Sequence, residues 1–142
     1  MESILFVCVG NACRSQMAEG FARHLGPPGL VVHSAGSNPA GFIAPGAIEA
    51  MKEKGIDISR HYSKGISDLP KIKFDYIVTM GCGDVCPTLP MESDSGERID
   101  WEIPDPVGRS PEFFRQVRDE IKAKVEGLIS EGRRSPPSHQ KF

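Results

Sequence analysis

The stretch SILFVCVGNACRSQMAEGFARHL, residues 3–25, combines an apolar strand, a short turn and an amphipathic helix. SILFVCV is rich in β-branched residues and shows little alternation, which is typical of a strand covered on both faces of a parallel sheet. Beyond the turn, Met17, Phe21 and Leu25 follow at intervals of four and form one apolar stripe. The stretch therefore predicts a strand that ends at Cys8 and a helix that begins near Ser15.

The rest of the chain continues this alternation of strands and helices. Pro45 is suited to the first turn of a second helix, which Gly55 would follow. From Pro111 onward, apolar residues three or four apart predict a long third helix. Three further stretches are strand candidates: LVVHSAG at 30–36, FDYIVTM at 74–80 and ERIDWEIPDP at 97–106. This order predicts an α/β fold with a parallel sheet flanked by helices, and ligands are expected beyond the carboxyl ends of its strands.

Length and composition favour a single domain. The 142 residues are 39% hydrophobic and 25% charged, and we expect residues 1–132 to form one domain, with a disordered tail at 133–142. A net charge of −2 gives no basic field that would attract nucleic acid or an anionic membrane. The apolar stretch ILFVCV is too short to span a bilayer and lacks the flanks of a secretion signal. We therefore expect a cytoplasmic protein, and a monomer.

The turn after the first strand is suited to hold an oxyanion. Its backbone N–H groups and the positive end of the following helix can converge on one point. Gly10 allows a tight curl, Asn11 tolerates a left-handed conformation, and Arg14 offers a planar fork that matches two oxygens of a tetrahedral anion. The same positive potential favours the thiolate form of Cys8. The alternative is an ordinary connection that happens to contain these residues. The candidate anion-binding residues, here called the anion loop, are Val9, Gly10, Asn11, Ala12, Cys13, Arg14 and Ser15.

The four cysteines are too few for a disulfide-stabilised scaffold. A metal site at Cys8 and Cys13 is disfavoured, because structural zinc ligands are usually spaced two to four residues apart and Arg14 would repel a cation. Cys82 and Cys86, in GCGDVC after the third strand, are alternatively two loop cysteines or a zinc pair, but no nearby histidine completes such a site. We predict no bound metal.

The quoted loop and helix, together with SAGSNP, AIEAMKEKGIDIS, VTMGCGDVCPTLP, DWEIPDPVG and FRQVRDEIK, resemble the low-molecular-weight protein tyrosine phosphatase superfamily, and more closely its thioredoxin-coupled arsenate reductase branch. This resemblance covers almost the whole chain. It implies a low-molecular-weight phosphatase-like, Rossmann-like three-layer fold: a four-stranded parallel sheet flanked by helices on both faces. It also implies that Cys8 is the nucleophile, that Arg14 and the loop amides bind the oxyanion, that Ser15 supports the thiolate, and that Asp105 is the general acid.

The resemblance further implies a thiol relay. A reductase needs two electrons, and without a bound cofactor these come from additional thiols. Cys82 would attack the Cys8–arsenate adduct and Cys86 would then take over the disulfide, whereas Cys13 is not needed. Electrons would come from thioredoxin, or else from glutaredoxin with glutathione or from mycothiol. Phosphate would compete with arsenate, which it resembles in shape and charge.

Two other sequence features distinguish the phosphatases of the superfamily from its arsenate reductase branch. Phosphatases of the superfamily typically have Ser-Pro after the loop arginine, and aromatic residues after the Asp-Pro pair. This chain has Gln16 after Ser15, and Val107-Gly108 after that pair, so an aromatic pocket for a phosphotyrosine ring is not evident. A phosphatase acting on phosphotyrosine or small phosphoesters remains the alternative, and a non-catalytic oxyanion or redox sensor is a third possibility.

Some relatives bind potassium beside the loop through residues that correspond to Asn11, Glu19 and Ser34, with a carboxylate after the position of HYS. This chain has Lys64 at that last position. Because its ammonium can replace the cation, we predict no potassium requirement.

Overall fold

The computed structural model describes residues 3–80 and 97–134. The predicted strands and helices are all present in it. The first helix begins one residue before the predicted start, and the last helix ends at Arg134, two residues beyond the expected end of the domain at 132. The rest of the expected tail, residues 135–142, lies outside the described residues. In chain order the elements are β1 (Ser3–Cys8), α1 (Arg14–Leu25), β2 (Val31–Gly36), α2 (Pro45–Lys52), a short 3-10 helix (Ile66–Asp68), β3 (Tyr76–Met80), β4 (Glu97–Trp101) and α3 (Pro111–Arg134).

Within the described residues the sheet has four strands in the order β2-β1-β3-β4, and every pairing is parallel. The predicted four-stranded parallel α/β fold is thus confirmed. Because β2 lies on one side of β1 and β3 on the other, the connections leave β1 in opposite directions. Cys8 pairs with Gly36, and Val7 pairs with Thr79. The carboxyl end of β1 therefore borders the crevice in which folds of this type bind ligands.

The two faces of the sheet bury different layers. Ile4, Phe6 and Cys8 share one core with apolar residues of α1, α2 and α3. Leu5 and Val7 point to the opposite face and pack in a smaller core, formed with β2, β3 and the segment around the 3-10 helix. α1, α2 and α3 thus pack against the same face of the sheet, and the first turn of α1 adjoins the anion loop.

Two local features of α2 agree with the sequence prediction. Pro45 occupies the first turn of α2, and Gly55, just beyond its end, has a φ of +77°. Gly46 allows α2 to approach α3 closely, because a Cβ atom there would lie 2.5 Å from the ring of Phe114. The packing of these two helices thus requires a position without a side chain.

Candidate active site

Surrounding residues hold the backbone of the anion loop in place by donating hydrogen bonds to its carbonyl groups. Each carbonyl oxygen of residues 8–13 accepts a hydrogen bond of 2.8–3.3 Å. The donors are, in that order, the amides of Ser37, Asn38 and Ala40 (with the Ser63 hydroxyl), the Gln16 side chain, and the amides of Ala44 and Met17. By contrast, the amides of residues 10–13 donate to no other described residue. Together with the unpaired amides of the first turn of α1, they are free to donate to a ligand.

The side chain of Asn11 organises the polar interior of the loop. Its backbone is left-handed, with a φ of +48°. The amide oxygen accepts from the backbone N–H of Lys64 at 2.7 Å and from Gln16 Nε2 at 2.9 Å. Since a backbone N–H can only donate, the Asn11 nitrogen must face the other way, and it donates to Ser15 Oγ at 2.8 Å and Ser34 Oγ at 3.0 Å.

This orientation leaves the Ser15 hydroxyl hydrogen free to donate to Cys8. The Cys8 Sγ and Ser15 Oγ atoms are 2.9 Å apart. Because Ser15 already accepts from Asn11, its own hydrogen is available to point at the sulfur. A hydroxyl that donates to sulfur stabilises the thiolate over the thiol. The structure therefore brings Cys8 and Ser15 together in the arrangement that a nucleophilic cysteine requires.

Arg14 links the anion loop to the loop that carries Asp105. Its side chain is buried and donates through Nη1 to the carbonyl oxygen of Ile103 at 3.0 Å, while Nη2 lies 3.9 Å from Asp105 Oδ2. The Asp105 side chain is 54% exposed, and its Oδ1 accepts from the amide of Val107 at 3.1 Å. The Asp105 carboxyl is thus exposed to solvent beside the Arg14 guanidinium, a position from which a carboxyl group can exchange protons.

Of the three remaining cysteines, only Cys13 lies within the described residues. Cys13 is buried, and burial, assisted by the negative charges of Asp105 and Cys8, raises the pKa of its thiol far above the usual value. Such a thiol stays protonated and is a poor nucleophile, which agrees with its expected bystander role. Cys82 and Cys86 lie outside the described residues.

Gly36 allows the loop to lie directly against the end of β2. A Cβ atom at this position would come within 2.5 Å of the Val9 carbonyl oxygen and 2.9 Å of the Asn11 amide nitrogen. Both neighbours are backbone atoms of the anion loop, so they cannot rotate away. The position of the loop therefore depends on the absence of a side chain at residue 36.

A buried charged cluster lies behind Asn11. Ser34 donates to Glu19 Oε1 at 2.5 Å, and the Lys64 ammonium lies 3.3 Å from Ser34 Oγ and 3.6 Å from Glu19 Oε1. Burial alone would raise the pKa of Glu19, but the Ser34 hydrogen bond and the charge of Lys64 outweigh it and hold that pKa below its usual value. The Lys64 ammonium thus lies beside Ser34 and Glu19, two of the positions where the resemblance implies potassium ligands.

Three contributors to the site are not evident from the sequence motifs alone: the Gln16 amide, the Ser63 hydroxyl and the bare backbone of Gly36. Gln16 is fully buried in the polar first turn of α1, where it follows Arg14 and Ser15, and no pattern in the sequence distinguishes it from an exposed glutamine. Across residues 3–80 and 97–134, the structure contains neither a helix able to cross a membrane nor a cluster of three potential metal ligands.

A parallel α/β sheet with a cysteine, an arginine and free amides at the end of its central strand defines a class of enzymes that handle tetrahedral oxyanions. The chain belongs to the low molecular weight phosphotyrosine protein phosphatase family, whose model matches residues 3–136. It is 44% identical over 132 residues to an arsenate reductase of Staphylococcus aureus, covering 91% of this chain and 97% of the relative.

Two further relatives extend this comparison. The chain is 42% identical over 132 residues to the glutaredoxin arsenate reductase of Synechocystis sp., with coverage of 92% and 98%. A solved arsenate reductase in the phosphate-binding state superimposes with a TM-score of 0.82 at 40% identity, covering 92% of this chain and 98% of that structure.

Proposed function

We propose that this protein reduces arsenate to arsenite, with Cys8 as the nucleophile and with phosphate as a competing ligand. The observation that carries the proposal is the convergence of Cys8, Ser15 and Arg14 on the free amides of the anion loop. Those amides and the guanidinium offer donors for a tetrahedral oxyanion. Sequence identity of 42–44% with arsenate reductases supports arsenate as the substrate.

The first half of the reaction uses described residues. The Cys8 thiolate attacks arsenic, and an oxygen leaves as water after it takes a proton from Asp105. Arg14 and the loop amides stabilise the negative charge on the remaining oxygens. This step leaves arsenic bonded to Cys8 and involves no change of oxidation state.

The second half needs two electrons, which we assign to Cys82 and Cys86. Cys82 attacks Cys8 Sγ, the electron pair of the sulfur–arsenic bond moves to arsenic, and arsenite leaves behind a Cys8–Cys82 disulfide. Cys86 then attacks Cys82 and frees Cys8. β3 ends at Met80 beside the end of β1, so the chain that leads to Cys82 departs from the edge of the sheet where Cys8 lies.

The donor that reduces the final disulfide is proposed to be thioredoxin, without any bound cofactor. Glutaredoxin with glutathione is the main alternative, because one similar protein is named a glutaredoxin arsenate reductase; mycothiol is another. Arsenite formation with each purified donor system in turn distinguishes them. These donors operate in the cytoplasm, where we propose that the protein acts.

Thiol counting after one equivalent of arsenate tests the relay itself. We expect two thiols to disappear as one arsenite forms, since each reduction consumes two electrons. The Cys82→Ser variant should form no arsenite under turnover, and Cys8→Ser should neither form arsenite nor lose thiols. Unchanged thiols in the wild-type chain would refute the relay.

A phosphatase is the second candidate, favoured by the fact that Cys8, Arg14 and Asp105 suffice for phosphoester hydrolysis when water releases the phosphocysteine. Cys82→Ser separates the two functions, because it should retain any hydrolysis of p-nitrophenyl phosphate while it loses arsenate reduction. Phosphate binding without either reaction, with all donors supplied, would instead identify a non-catalytic sensor.

A further inference from the structure

Gln16 is fully buried in the first turn of α1, and both ends of its amide are hydrogen-bonded. The Nε2 atom lies 3.1 Å from Asn11 O, 2.9 Å from Asn11 Oδ1 and 2.9 Å from Tyr62 O. All three neighbours are carbonyl oxygens, which can only accept. The amide nitrogen must therefore face them, and the Gln16 oxygen must face away from the anion loop.

The Gln16 oxygen faces a histidine. His61 Nδ1 lies 2.9 Å from Gln16 Oε1, and because that oxygen only accepts, Nδ1 must carry the hydrogen. Burial lowers the pKa of His61 and outweighs the opposing Glu19 carboxylate, with Lys64 and Arg23 acting in the same direction as burial. The ring is thus neutral near pH 7, and its Nδ1–H tautomer is the one that fits this contact.

From His61 a continuous series of hydrogen bonds leads to the nucleophile. It passes from His61 Nδ1 through the Gln16 amide, the Asn11 amide and the Ser15 hydroxyl to Cys8 Sγ, and its four contacts measure 2.8–2.9 Å. Each amide presents its oxygen to the preceding group and its nitrogen to the following one. The direction of the final Ser15 hydrogen bond therefore depends on the orientation of Asn11, which the Gln16 nitrogen and the backbone N–H of Lys64 set together.

We propose that His61 and Gln16 are positioning residues for the anion loop. The His61 N–H pairs with the Gln16 oxygen and so stabilises the orientation in which the Gln16 nitrogen faces the loop. That nitrogen, together with the backbone N–H of Lys64, holds Asn11 in the arrangement that presents its nitrogen to Ser15. This inference rests on the proposed function, in which Cys8 and the anion loop act on an oxyanion. It adds two residues that touch neither substrate nor the reacting sulfur.

A pair of nearly isosteric variants tests the polarity directly. In His61→Asn, the side-chain nitrogen can replace Nδ1 as the donor to Gln16. In His61→Asp, an ionised carboxylate can only accept, so it repels the Gln16 oxygen, and a Gln16 amide that turned to donate to it would bring its oxygen toward Asn11 O, Asn11 Oδ1 and Tyr62 O. Three acceptors would then face an acceptor, and the anion loop should lose its geometry.

The readout is the dissociation constant of inorganic phosphate, measured by calorimetry without any turnover, alongside the melting temperature. We expect His61→Asn to bind phosphate within about threefold of the wild-type chain and His61→Asp to bind at least about tenfold more weakly, as for a mispaired buried hydrogen bond. The rate of Cys8 alkylation by iodoacetamide at pH 7 should fall in the same order. Equal phosphate affinities of the two variants would overturn the proposal.

His33 provides the matched control for charge. It is also half-buried and is influenced by the same Arg23, Glu19 and Lys64 charges, but its ring contacts Phe74. His33→Asp should weaken phosphate binding less than His61→Asp does; equal weakening would mean that charge, and not hydrogen-bond polarity, is responsible.

If His61→Asp does not fold, His61→Leu serves instead, since it removes the donor without reversing polarity. It should bind phosphate about threefold to tenfold more weakly than His61→Asn, and equality with His61→Asn would overturn the proposal. A wild-type chain that binds phosphate but reduces no arsenate would refute the proposed function and leave this comparison of variants intact.

Discussion

Substitution of Gly36 by alanine should displace the anion loop without touching any residue that performs chemistry. The added methyl group would lie 2.5 Å from the Val9 carbonyl oxygen, 2.9 Å from the Asn11 amide nitrogen and 3.0 Å from Asn11 Cβ. Ordinary contacts of such atoms lie at about 3.5 Å or more, so the overlap with the Val9 oxygen is about 1 Å. The loop backbone or β2 must move by a comparable distance.

The expected cost has two parts. Overpacking of this kind lowers the free energy of unfolding by about 1–3 kcal/mol. A misplacement of about 1 Å at a catalytic site can cost about 100-fold in rate, and we expect a loss of that order in kcat/KM for arsenate reduction. Phosphate affinity should fall with it, because both depend on the same loop amides.

The assay compares three glycine-to-alanine variants in phosphate calorimetry, steady-state reduction and thermal unfolding. The three atoms nearest to a Cβ at Gly46 all belong to the ring of Phe114, the closest at 2.5 Å. Gly46→Ala should therefore destabilise the fold, but it should weaken phosphate binding far less than Gly36→Ala does. At Gly127, in the middle of α3, a Cβ would meet nothing within 4 Å, so Gly127→Ala should be neutral or stabilise by up to about 1 kcal/mol. A folded Gly36→Ala variant with wild-type phosphate affinity would refute the reasoning.

Three other results are expected. Because the pKa of Glu19 is lower in the folded chain than its ordinary 4.5, ionised Glu19 contributes stability above about pH 4.5 that is lost as the pH falls through the folded pKa; the melting temperature of Glu19→Gln should therefore decline less steeply in acid, and an equal decline would contradict this. The Lys64 ammonium lies 3.6 Å from Glu19 and 3.3 Å from Ser34 Oγ, where it can take the place of a bound cation. Potassium should therefore alter the wild-type melting temperature and turnover no more than sodium at equal concentration, and a clear effect specific to potassium would contradict this role of Lys64. Because burial raises the pKa of the Cys13 thiol, iodoacetamide at pH 7 should label Cys8 before Cys13, as read by mass spectrometry, and the reverse order would be inconsistent with it.

Local patterns were sufficient to predict the strands, the helices and the anion loop. The strand at residues 3–8 shows in its run of apolar residues, and Pro45 marks the start of α2 because proline suits a first helical turn. The left-handed Asn11 follows from the small set of residues that tolerate that conformation. Each of these features depends on a few consecutive residues, which is why sequence alone indicates them.

The supports of the anion loop could not be predicted in the same way. Gln16 contacts Tyr62 O across 46 positions, and Ser63 contacts Gly10 O across 53 positions. No periodicity in the sequence reports contacts of that separation. The requirement at Gly36 is equally remote from local pattern, since it arises from the backbone of Val9 and Asn11 packing on another strand.

The outward bonding of the loop carbonyls matters for protein engineering. Six consecutive carbonyl groups are anchored by donors from residues 16–17, 37–44 and 63, so the surrounding residues hold much of the curvature of the loop. Grafting residues 8–15 onto an unrelated strand-helix connection, or synthesising them as a cyclic peptide, should yield little affinity for phosphate. A designer who wants a minimal oxyanion receptor would have to transplant the segments that donate these hydrogen bonds together with the loop.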